Sequence, residues 1–312
     1  MSVPPPEPVP SVGVIVLNWN GTDDTLECLQ SLQPLDYPRY EIIVVDNGSR
    51  TSPRPQITEQ FPAVSYIETG ENLGYAGGNN FGIRYALQHG HDYVFVLNND
   101  TLVEPDFLRT AVAVGQSDPR IAVVGIKILA FEDPSRVWVA YGQLTYRKGL
   151  VRLVGYYELN DGRFDTQQDV EWVPGTALLM RRAALEQIGL FDEQFFAYHE
   201  DVDWCTNARE QGWRVVYAPA AHILHKGHRS SGGKGYVTPR QYLAGRNMVL
   251  FVRKHARWYQ SLQFLMFQIT TIPLQYLWRC LSGEQYGVVL KVRGMLDGLR
   301  DRPPPLQELG FR

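Results

Sequence analysis

Three short apolar runs, each followed at once by polar residues, constrain the fold of this chain more than any other feature. The runs cover residues 12–17 (VGVIVL), 42–45 (IIVV) and 94–97 (VFVL), and most of their residues are β-branched. Continuous apolar runs of this length are typical of strands that are buried on both faces of a parallel sheet. Helical patterns lie between the runs, so the order of elements predicts an α/β fold with a mostly parallel central sheet and helices on both faces.

The helical patterns are recognised by their capping residues and by the spacing of their apolar residues. The first begins at Thr22, whose side chain could cap the helix, and leucines then recur at three-residue spacing. After Gly115 the pattern changes to strand-like runs over 121–129 and 137–157, which favour an inserted antiparallel layer. Further helices are predicted over 79–89, 105–114, 182–188 and 201–211, and from residue 238 onward the pattern is largely helical.

Composition excludes several classes of protein. The chain has 30 Lys and Arg against 33 Asp and Glu, and the resulting net charge of −3 disfavours a nucleic-acid partner. Its three cysteines (Cys28, Cys205 and Cys280) are too few and too far apart for a disulfide framework or an all-cysteine metal site. A reducing, cytoplasmic compartment is therefore expected, and residues 1–11 carry neither the basic region nor the apolar run of a signal peptide.

The longest nearly uncharged stretch covers residues 258–278. It is long enough to span a bilayer, but four Gln, one Ser, two Thr and one Pro interrupt it. We therefore expect helices that pack on the protein or rest on a membrane surface, rather than a transmembrane span.

Polar residues follow each of the three predicted strands at the point where the strand ends. In open α/β sheets, ligands bind beyond the carboxyl ends of the strands. Any one of these segments could be an ordinary turn, but three in succession favour a binding site. The segments are Asn18-Trp19-Asn20-Gly21, Asp46-Asn47-Gly48-Ser49 and Asn98-Asn99-Asp100.

Glycine-rich nucleotide motifs do not account for this site. No G-x-G-x-x-G follows the first strand, and the glycine cluster at 74–78 (GYAGG) lacks the spacing of that fingerprint. The sequence also contains no G-x-x-x-x-G-K-[ST] loop. A nicotinamide cofactor or a P-loop nucleotide is therefore disfavoured.

Asp100 is the strongest candidate for a metal ligand. A single aspartate at a strand end, beside the neutral Asn98 and Asn99, would leave coordination positions of a divalent ion open to the oxygens of a diphosphate. The alternative is an aspartate that caps the turn into the following helix.

A second acidic centre lies at 199–204 (HEDVDW). Three carboxylates within four residues repel one another unless a cation or a shared proton relieves the repulsion, so one of them could serve as a general base. The alternative is a charged helix start, because the helix dipole favours Glu200 and Asp201 at an N-terminus.

Three histidines (His222, His225 and His228) follow one another at three-residue spacing. On a strand, residues 222 and 225 face opposite ways, so a three-histidine zinc site is disfavoured and a single ligand, His225, is the better candidate. The next stretch, 227–235 (GHRSSGGKG), could wrap a phosphate through its backbone N–H groups or close over a donor. Its alternative is a flexible surface turn.

Taken in order, seven segments resemble the family 2 glycosyltransferases, and within them bacterial rhamnosyltransferase-like members. The resemblance spans roughly residues 11–235 and implies the GT-A fold. It also implies a Pro-rich lead-in (1–10), a GT-A catalytic domain (11–235) and a helical C-terminal extension (236–312). The segments are VIVLNWNG, IIVVDNGS, ENLGYAGGNN, VFVLNNDT, WVPGTALLMRRAAL, GLFDEQFFAYHEDVDWCTNAREQGW and ILHKGHRSS.

The resemblance implies roles for the residues at the strand ends. Asn98-Asn99-Asp100 stands where the family has its D-x-D motif, with Asn98 in place of the first acidic residue. Asp100 matches the metal-binding aspartate, and His225 matches the histidine that completes the site for a divalent metal, Mg²⁺ or Mn²⁺. The expected donor-binding residues are Asn18, Asn20, Asp46, Asn72, Gly77, Gly78, Asn79, Asn98 and Asn99.

The acidic centre matches the family's acidic pair, whose aspartate is the usual general base. Asp201 is therefore the expected base, with Glu200 or Asp203 orienting the acceptor. Arg246-Asn247 also recurs in similar proteins, and the resemblance assigns it no role.

The implied reaction is a metal-assisted, inverting single displacement in cell-surface polysaccharide synthesis. A sugar, with rhamnose favoured, moves from a UDP or dTDP donor to a hydroxyl of a saccharide or lipid-linked acceptor. A lipid-linked acceptor would fit peripheral contact of the basic and aromatic stretch after residue 252 with the inner face of the cytoplasmic membrane. The alternative functions are a non-catalytic nucleotide-sugar-binding scaffold on the same fold and a nucleotidyltransferase, although the latter would need a Gly-rich basic signature after the first strand.

Overall fold

The computed structural model describes residues 9–147, 150–227 and 235–311, and a mixed ten-stranded sheet forms its centre. The strands are β1 (Val12–Asn18), β2 (Tyr40–Asp46), β3 (Ser65–Glu68), β4 (Tyr93–Asn98), β5 (Thr101–Val103), β6 (Ile121–Ala130), β7 (Val137–Val139), β8 (Tyr141–Leu144), β9 (Val151–Val154), β10 (Gln168–Asp169), β11 (Ala177–Arg181) and β12 (Arg214–His225). The helices are α1 (Thr22–Leu32), α2 (Arg54–Gln60), α3 (Gly74–Gln88), α4 (Phe107–Gln116), α5 (Arg182–Ile188), α6 (Glu200–Glu210), α7 (Pro239–His255), α8 (Trp258–Cys280) and α9 (Gln285–Leu299), with a short 3₁₀ helix at Glu193–Phe195.

The sheet follows the order β10-β12-β6-β11-β4-β1-β2-β3, with β5 paired to β12 and β7 paired to β6. β1 pairs in parallel with both β2 and β4, and β12 pairs in parallel with β6. β11 lies between β4 and β6 and runs antiparallel to both, so β4 and β6 share one direction. The predicted α/β class with a mostly parallel central sheet is confirmed.

The sheet separates two apolar cores because alternate residues of a strand point to opposite faces. In β1, Val14 and Val16 lie in one core with residues of α1, α2 and α4. Ile15 lies in the other core with residues of α3, α5, α6 and α7. All three of these β1 side chains are fully buried, as the continuous apolar run predicts for a strand covered on both faces.

Two elements differ from their predictions. α3 begins at Gly74 rather than at residue 79, because its first-turn glycines pack closely instead of breaking the helix. β6, expected in an inserted antiparallel layer, lies in the central sheet with all of its residues buried and pairs in parallel with β12. The antiparallel addition is the separate β8–β9 pair.

The C-terminal helices differ in how they pack. α7 and α9 touch at glycines, since a Cβ on Gly245 would lie 2.1 Å from the Lys291 carbonyl oxygen and one on Gly294 would lie 2.0 Å from that of Tyr242. α8, in contrast, buries only Phe264 and Gln268. Among the helices of the described ranges, none combines the length and the apolar character needed to cross a bilayer.

Candidate active site

The carboxyl ends of β1 and β2 bring together the first predicted donor-binding residues. The strand register pairs Asn18 with Asp46. Asn18 Nδ2 donates to Asp46 Oδ1 at 2.9 Å and to Ser49 Oγ at 3.0 Å, while its Oδ1 accepts from Thr25 Oγ1 at 3.0 Å. Because Asn18 is fully buried, its amide orients Asp46 and the start of α1 and is not itself open to a ligand.

Three further asparagines lie at the ends of β1 and β4, and they differ in how accessible their side chains are. Asn99 is buried, and its Nδ2 donates to Thr25 Oγ1 at 2.9 Å and to the Gly21 carbonyl at 3.2 Å, so it braces the turn after β1. Asn20 is exposed with a φ of 56°, and Asn98 is half-buried at the end of β4. Of these three amides, Asn20 and Asn98 have the better access to a donor.

Asn47, which sequence reasoning did not single out, ties this edge of the sheet to α3. Its Nδ2 donates to Asn72 Oδ1 at 3.1 Å and to the Gly74 carbonyl at 3.0 Å. Its Oδ1 accepts from the Leu73 N–H at 3.1 Å. Asn47 belongs to the polar segment that begins at Asp46, and the position of that segment at a strand end was the available signal, but no role was predicted for Asn47 itself.

Gly77, Gly78 and Asn79 lie inside α3, where packing accounts for them. A Cβ on Gly78 would lie 2.6 Å from Leu17 Cδ1, and one on Gly77 would lie 2.7 Å from Leu73 Cβ. Asn79 is fully buried and donates to the Tyr75 carbonyl at 2.9 Å. Gly78 thus allows the close approach of α3 to β1, and the contacts of Gly77 and Asn79 lie within α3 and its first turn.

The segment near the C-terminus reaches the same edge, which sequence reasoning did not anticipate. The Phe311 carbonyl accepts a hydrogen bond from Asn72 Nδ2 at 2.9 Å, across 239 residues of sequence. The Phe311 ring lies 6.0 Å from the ring of Trp19 and 5.3 Å from that of Phe196. Asn72, a predicted donor-binding residue, is thus shared with this segment.

Asp100 and His225 meet because β5 pairs antiparallel with β12, which sets His225 opposite Thr101. His225 Nε2 lies 3.1 Å from Asp100 Oδ1, and the exposed fractions of the two side chains are 9% and 2%. Burial alone would raise the pKa of Asp100, but the adjacent imidazole of His225 lowers that pKa below its usual value. The carboxylate is therefore held in its ionised form.

A carboxylate oxygen and an imidazole nitrogen are ligands that divalent cations accept, so this pair fits the predicted metal site. The described ranges contain no group of three or more His, Cys, Asp or Glu side chains that could hold a metal. His228 and most of the 227–235 loop lie outside the described residues.

Glu200 and Asp201 open α6, and the β10–β11 connection supports them. Asp201 Oδ2 accepts from the Gly175 N–H at 2.8 Å, and the Gly175 carbonyl accepts from the Tyr75 hydroxyl at 2.5 Å. A Cβ on Gly175 would lie 2.8 Å from that hydroxyl oxygen. Sequence reasoning missed both Gly175 and Tyr75, although the segments WVPGTALLMRRAAL and ENLGYAGGNN contain them.

The electrostatics of this pair are opposite to those of Asp100. Burial raises the pKa of Asp201, against the effect of the N–H groups that bind its carboxylate. Burial also raises the pKa of Glu200 well above its ordinary value, and the neighbouring charge of Asp201 raises it further. The pKa of Tyr75 is raised well above its usual value by burial and then by the charges of Glu200, Asp201 and Asp100. Tyr75 therefore lies within electrostatic range of both acidic centres.

Asp203 has different hydrogen-bond partners from Glu200 and Asp201. Its carboxylate, 1% exposed, accepts from His255 Nε2 at 2.7 Å, Lys254 Nζ at 2.9 Å and Asn207 Nδ2 at 3.1 Å. Because these donors occupy the carboxylate from α6 and α7, Asp203 joins two helices and is not placed to orient an acceptor. Of the two residues predicted to orient an acceptor, Glu200 is therefore the one whose carboxyl group is not bound by these donors.

Sequence comparison relates the chain to known transferases. The sequence model of the family described as "Glycosyltransferase like family 2" matches residues 9–261. The N-acetylglucosaminyl-diphospho-decaprenol L-rhamnosyltransferase of Mycobacterium tuberculosis is 28% identical over 246 residues, which cover 70% of this chain and 77% of that protein. The low-salt glycan biosynthesis hexosyltransferase Agl10 of Haloferax volcanii is 26% identical over 216 residues, 69% of this chain and just under two thirds (66%) of that protein.

Structural comparison confirms the predicted GT-A fold. The mannosyltransferase PcManGT from Pyrobaculum calidifontis, solved in complex with GDP-Man and Mn²⁺, superposes with a TM-score of 0.60. The superposition covers 96% of this chain and 90% of that one at 18% sequence identity. At this identity the likeness concerns the fold alone.

Proposed function

We propose a reaction for this chain from the premise that it belongs to glycosyltransferase-like family 2 and is a glycosyltransferase. The reaction moves a sugar from a nucleoside diphosphate donor to an acceptor hydroxyl, in one displacement that inverts the anomeric carbon. The observation that carries the proposal is the presence of two acidic centres with different surroundings: Asp100, which lies 3.1 Å from His225 Nε2, and Asp201, which follows Glu200 and accepts from the Gly175 N–H. A transfer reaction needs both a site for an anionic diphosphate and a base, whereas a binding scaffold needs no base.

On the donor side, Asp46 and Asn72 hold the nucleoside at the edge formed by β1, β2 and α3. Asp100 and His225 would hold a divalent ion, Mg²⁺ or Mn²⁺, which when bound neutralises the diphosphate and stabilises the charge that develops on the leaving group. The Mn²⁺ bound in the mannosyltransferase of similar fold supports the use of a divalent metal.

On the acceptor side, Asp201 takes the proton of the acceptor hydroxyl while that oxygen attacks the anomeric carbon. The bond from the sugar to the diphosphate breaks on the opposite face as the new glycosidic bond forms, so no covalent nucleophile is required. The Gly175 N–H orients the carboxylate of Asp201. Glu200, whose raised pKa favours its protonated form, is suited to donate a hydrogen bond to the acceptor.

The names of the two sequence relatives narrow the substrate class. One is an L-rhamnosyltransferase with an N-acetylglucosaminyl-diphospho-decaprenol acceptor, and the other is a hexosyltransferase of glycan biosynthesis. We therefore favour dTDP-L-rhamnose as donor, with a UDP-sugar as the next candidate. The favoured acceptor is a lipid-linked saccharide in the synthesis of cell-surface polysaccharide.

A lipid-linked acceptor would bring α8 to a membrane surface, on the cytoplasmic side. No charged residue occurs between Arg257 and Arg279. Trp258 and Trp278, near the two ends of α8, are 78% and 63% exposed. Tryptophans at the ends of an exposed apolar helix are typical of contact at the level of lipid headgroups.

The basic residues just before α8 contribute less to this contact than the sequence suggests. Arg253 is paired with Asp301, and Lys254 and His255 are both paired with Asp203. Because these side chains are engaged within the protein, the proposed membrane contact depends on the apolar face of α8.

The proposed donor site is tested by thermal stabilisation with UDP, dTDP, GDP, CDP and ADP, each with and without Mn²⁺. A ligand that binds only the folded protein raises its melting temperature. We expect a Mn²⁺-dependent rise with dTDP or UDP, followed by release of that nucleotide from its sugar donor when a synthetic lipid-linked N-acetylglucosaminyl diphosphate is added. Stabilisation by a nucleotide without any transfer would favour the scaffold function, and no stabilisation at millimolar concentration would contradict the donor site.

A further inference from the structure

The segment 195–199, which leads directly into Glu200 and Asp201, has a backbone conformation that residues other than glycine rarely adopt. Phe196 has φ 60° and ψ −63°, and the N–H of the residue after it donates to the carbonyl of the residue before it at 2.6 Å. This is a γ-turn of the strained, positive-φ kind. Tyr198 and His199 follow with φ values of 71° and 73°. Such strain persists only where the surrounding structure imposes it.

Asn247 of α7 binds this segment at three points. Its Nδ2 lies 2.8 Å from the Phe195 carbonyl oxygen, 2.8 Å from that of Ala197 and 2.7 Å from that of Tyr198. Asn247 is fully buried. A side-chain amide has two N–H donors, so three carbonyls share them, and an apolar residue of the same size would remove all three contacts.

Arg246 extends the same set of contacts. It is 3% exposed, and its Nη1 donates to the Gln194 carbonyl at 2.6 Å while its Nε donates to the Arg302 carbonyl at 2.8 Å. The backbone before the strained segment is therefore tied both to α7 and to the segment that follows α9.

α7 also binds the chain on the other side of the acidic pair. Lys254 and His255 follow Asn247 by seven and eight residues, which places them two helical turns further along the same face. Both hydrogen-bond to Asp203, at 2.9 and 2.7 Å. One face of α7 thus holds both the backbone before Glu200 and the side chain of Asp203.

The predicted donor stretch (residues 72–79), at the start of α3, also contacts the segment. The Ala76 N–H donates to the Phe196 carbonyl at 3.0 Å. A Cβ on Gly74 would lie 2.4 Å from that same carbonyl oxygen, so the close contact requires glycine there. The strained segment is held between the first turn of α3 and α7.

We propose that Asn247, supported by Arg246, is a positioning residue for sugar transfer. Through segment 195–199 it sets where Glu200 and Asp201 lie relative to the donor stretch. The inference rests on the proposed function for its effect on turnover, but its effect on the position of the segment is independent of that function. It gives the C-terminal extension, predicted to be separate from the catalytic domain, a part in the reaction.

The test compares Asn247→Leu, which keeps the size of the side chain and removes its donors, with Arg181→Leu. Arg181 is a matched control because it also holds loop carbonyls, donating to Ile121 at 2.7 Å and to Asp118 at 3.1 Å. It lies opposite Tyr93 at the start of β4, away from the end that carries Asn98. For both variants we would measure dTDP and UDP affinity with Mn²⁺, the turnover number and KM for dTDP-L-rhamnose, and amide hydrogen exchange over 196–204.

For Asn247→Leu we expect turnover to fall about 100-fold, as for a misplacement of about 1 Å in a catalytic group, with nucleotide affinity within about twofold of the wild type. Amide exchange over 196–204 should rise. Arg181→Leu should lower the melting temperature and leave turnover and this exchange unchanged. If Asn247→Leu does not fold, Asn247→Ser, which keeps one donor, should show the same pattern in weaker form.

Two results would overturn the inference: turnover of folded Asn247→Leu within about threefold of the wild type, or unchanged exchange over 196–204. If the wild-type protein transfers no sugar, the proposed function has failed instead. In that case the exchange measurement still decides whether Asn247 holds the segment.

Discussion

Asp100 and Asp201 are both carboxylates at one edge of the same sheet, yet their surroundings change their pKa values in opposite directions. Asp100 faces the imidazole of His225, which lowers its pKa despite burial. Asp201 has the acidic Glu200 as its neighbour and only N–H donors as partners, and burial raises its pKa. The difference teaches that the neighbours of a carboxylate, and not its residue type, decide whether it is prepared to bind a cation or to accept a proton.

The two centres also differ in how they are assembled. His225 reaches Asp100 through the pairing of β5 with β12, where the backbone register sets the distance. The acidic pair depends on side chains from α7 and on a strained segment. We therefore expect the Asp100 centre to tolerate local substitutions better than the Asp201 centre.

The largest expected effect is on Asp201. Asp201→Asn should keep the melting temperature and the binding of dTDP or UDP, and should lower transfer by about 10²–10⁴-fold, which is the contribution of a positioned base to the rate. Asp203→Asn is the contrasting variant, since its carboxylate bonds to His255 and Lys254. Asp203→Asn should lower the melting temperature and should change the turnover number little. If Asp201→Asn still transfers sugar and Asp203→Asn does not, Asp203 and not Asp201 would be the base.

The next effect is on the donor side. Asp100→Asn should lower nucleotide affinity in the presence of Mn²⁺ by about tenfold or more, since one of two protein ligands is weakened, and should leave metal-free affinity unchanged. Asp118→Asn is a matched control, because Asp118 also has a lowered pKa, through ion pairs with Arg120 and Arg214, and is not part of the site. If Asp100→Asn and the wild type have equal affinity, Asp100 is not part of the proposed metal site. The proposed contrast between a metal-binding Asp100 and a proton-accepting Asp201 would then fail.

The proposed donor side was largely predictable from sequence, and the proposed acceptor side was only partly so. Asp46 directly follows an apolar run typical of a buried strand, and Asp100 follows another such run after two asparagines, so their position at the end of the strands follows from the topology. Asn247 contacts its three carbonyls across 49 to 52 residues, and no local pattern marks it.

Two residues illustrate the same limit. Gly78 is predicted to bind the donor, and only the structure shows that it lies in α3, where a Cβ would lie 2.6 Å from Leu17 Cδ1. Asp203 looks equivalent to Asp201, and its separate role appears only when α7 is packed beside it. Whether a residue faces a ligand or a neighbouring helix depends on tertiary packing, which spacing alone does not specify.

A smaller effect should appear in the pH dependence of stability. The folded protein raises the pKa of Glu200, so the contribution of Glu200 to stability is fully present below its unfolded pKa of about 4.3. That stability is lost as the pH rises through the higher folded pKa. Glu200→Gln removes this loss, and its melting temperature should equal that of the wild type at pH 4 and exceed it at pH 8, by about 2–4 °C per kcal/mol relieved. Equal melting temperatures at both pH values would show that Glu200 does not differ from an ordinary carboxylate.

The smallest expected effect is on membrane binding, which bears on the acceptor and not on the donor. If the acceptor is lipid-linked, the acceptor side of the site operates at a membrane, and Ile269, 58% exposed on α8, contributes to that contact. Ile269→Glu should lower binding to phosphatidylglycerol vesicles several-fold, because it places a charge on the apolar face. Thr270→Glu adds the same charge at the neighbouring exposed polar position and should have a weaker effect. Neither variant should alter nucleotide stabilisation. If both bind vesicles as the wild type does, α8 is not a lipid-binding face and a soluble saccharide becomes the better acceptor, while the contrast between Asp100 and Asp201 is unaffected.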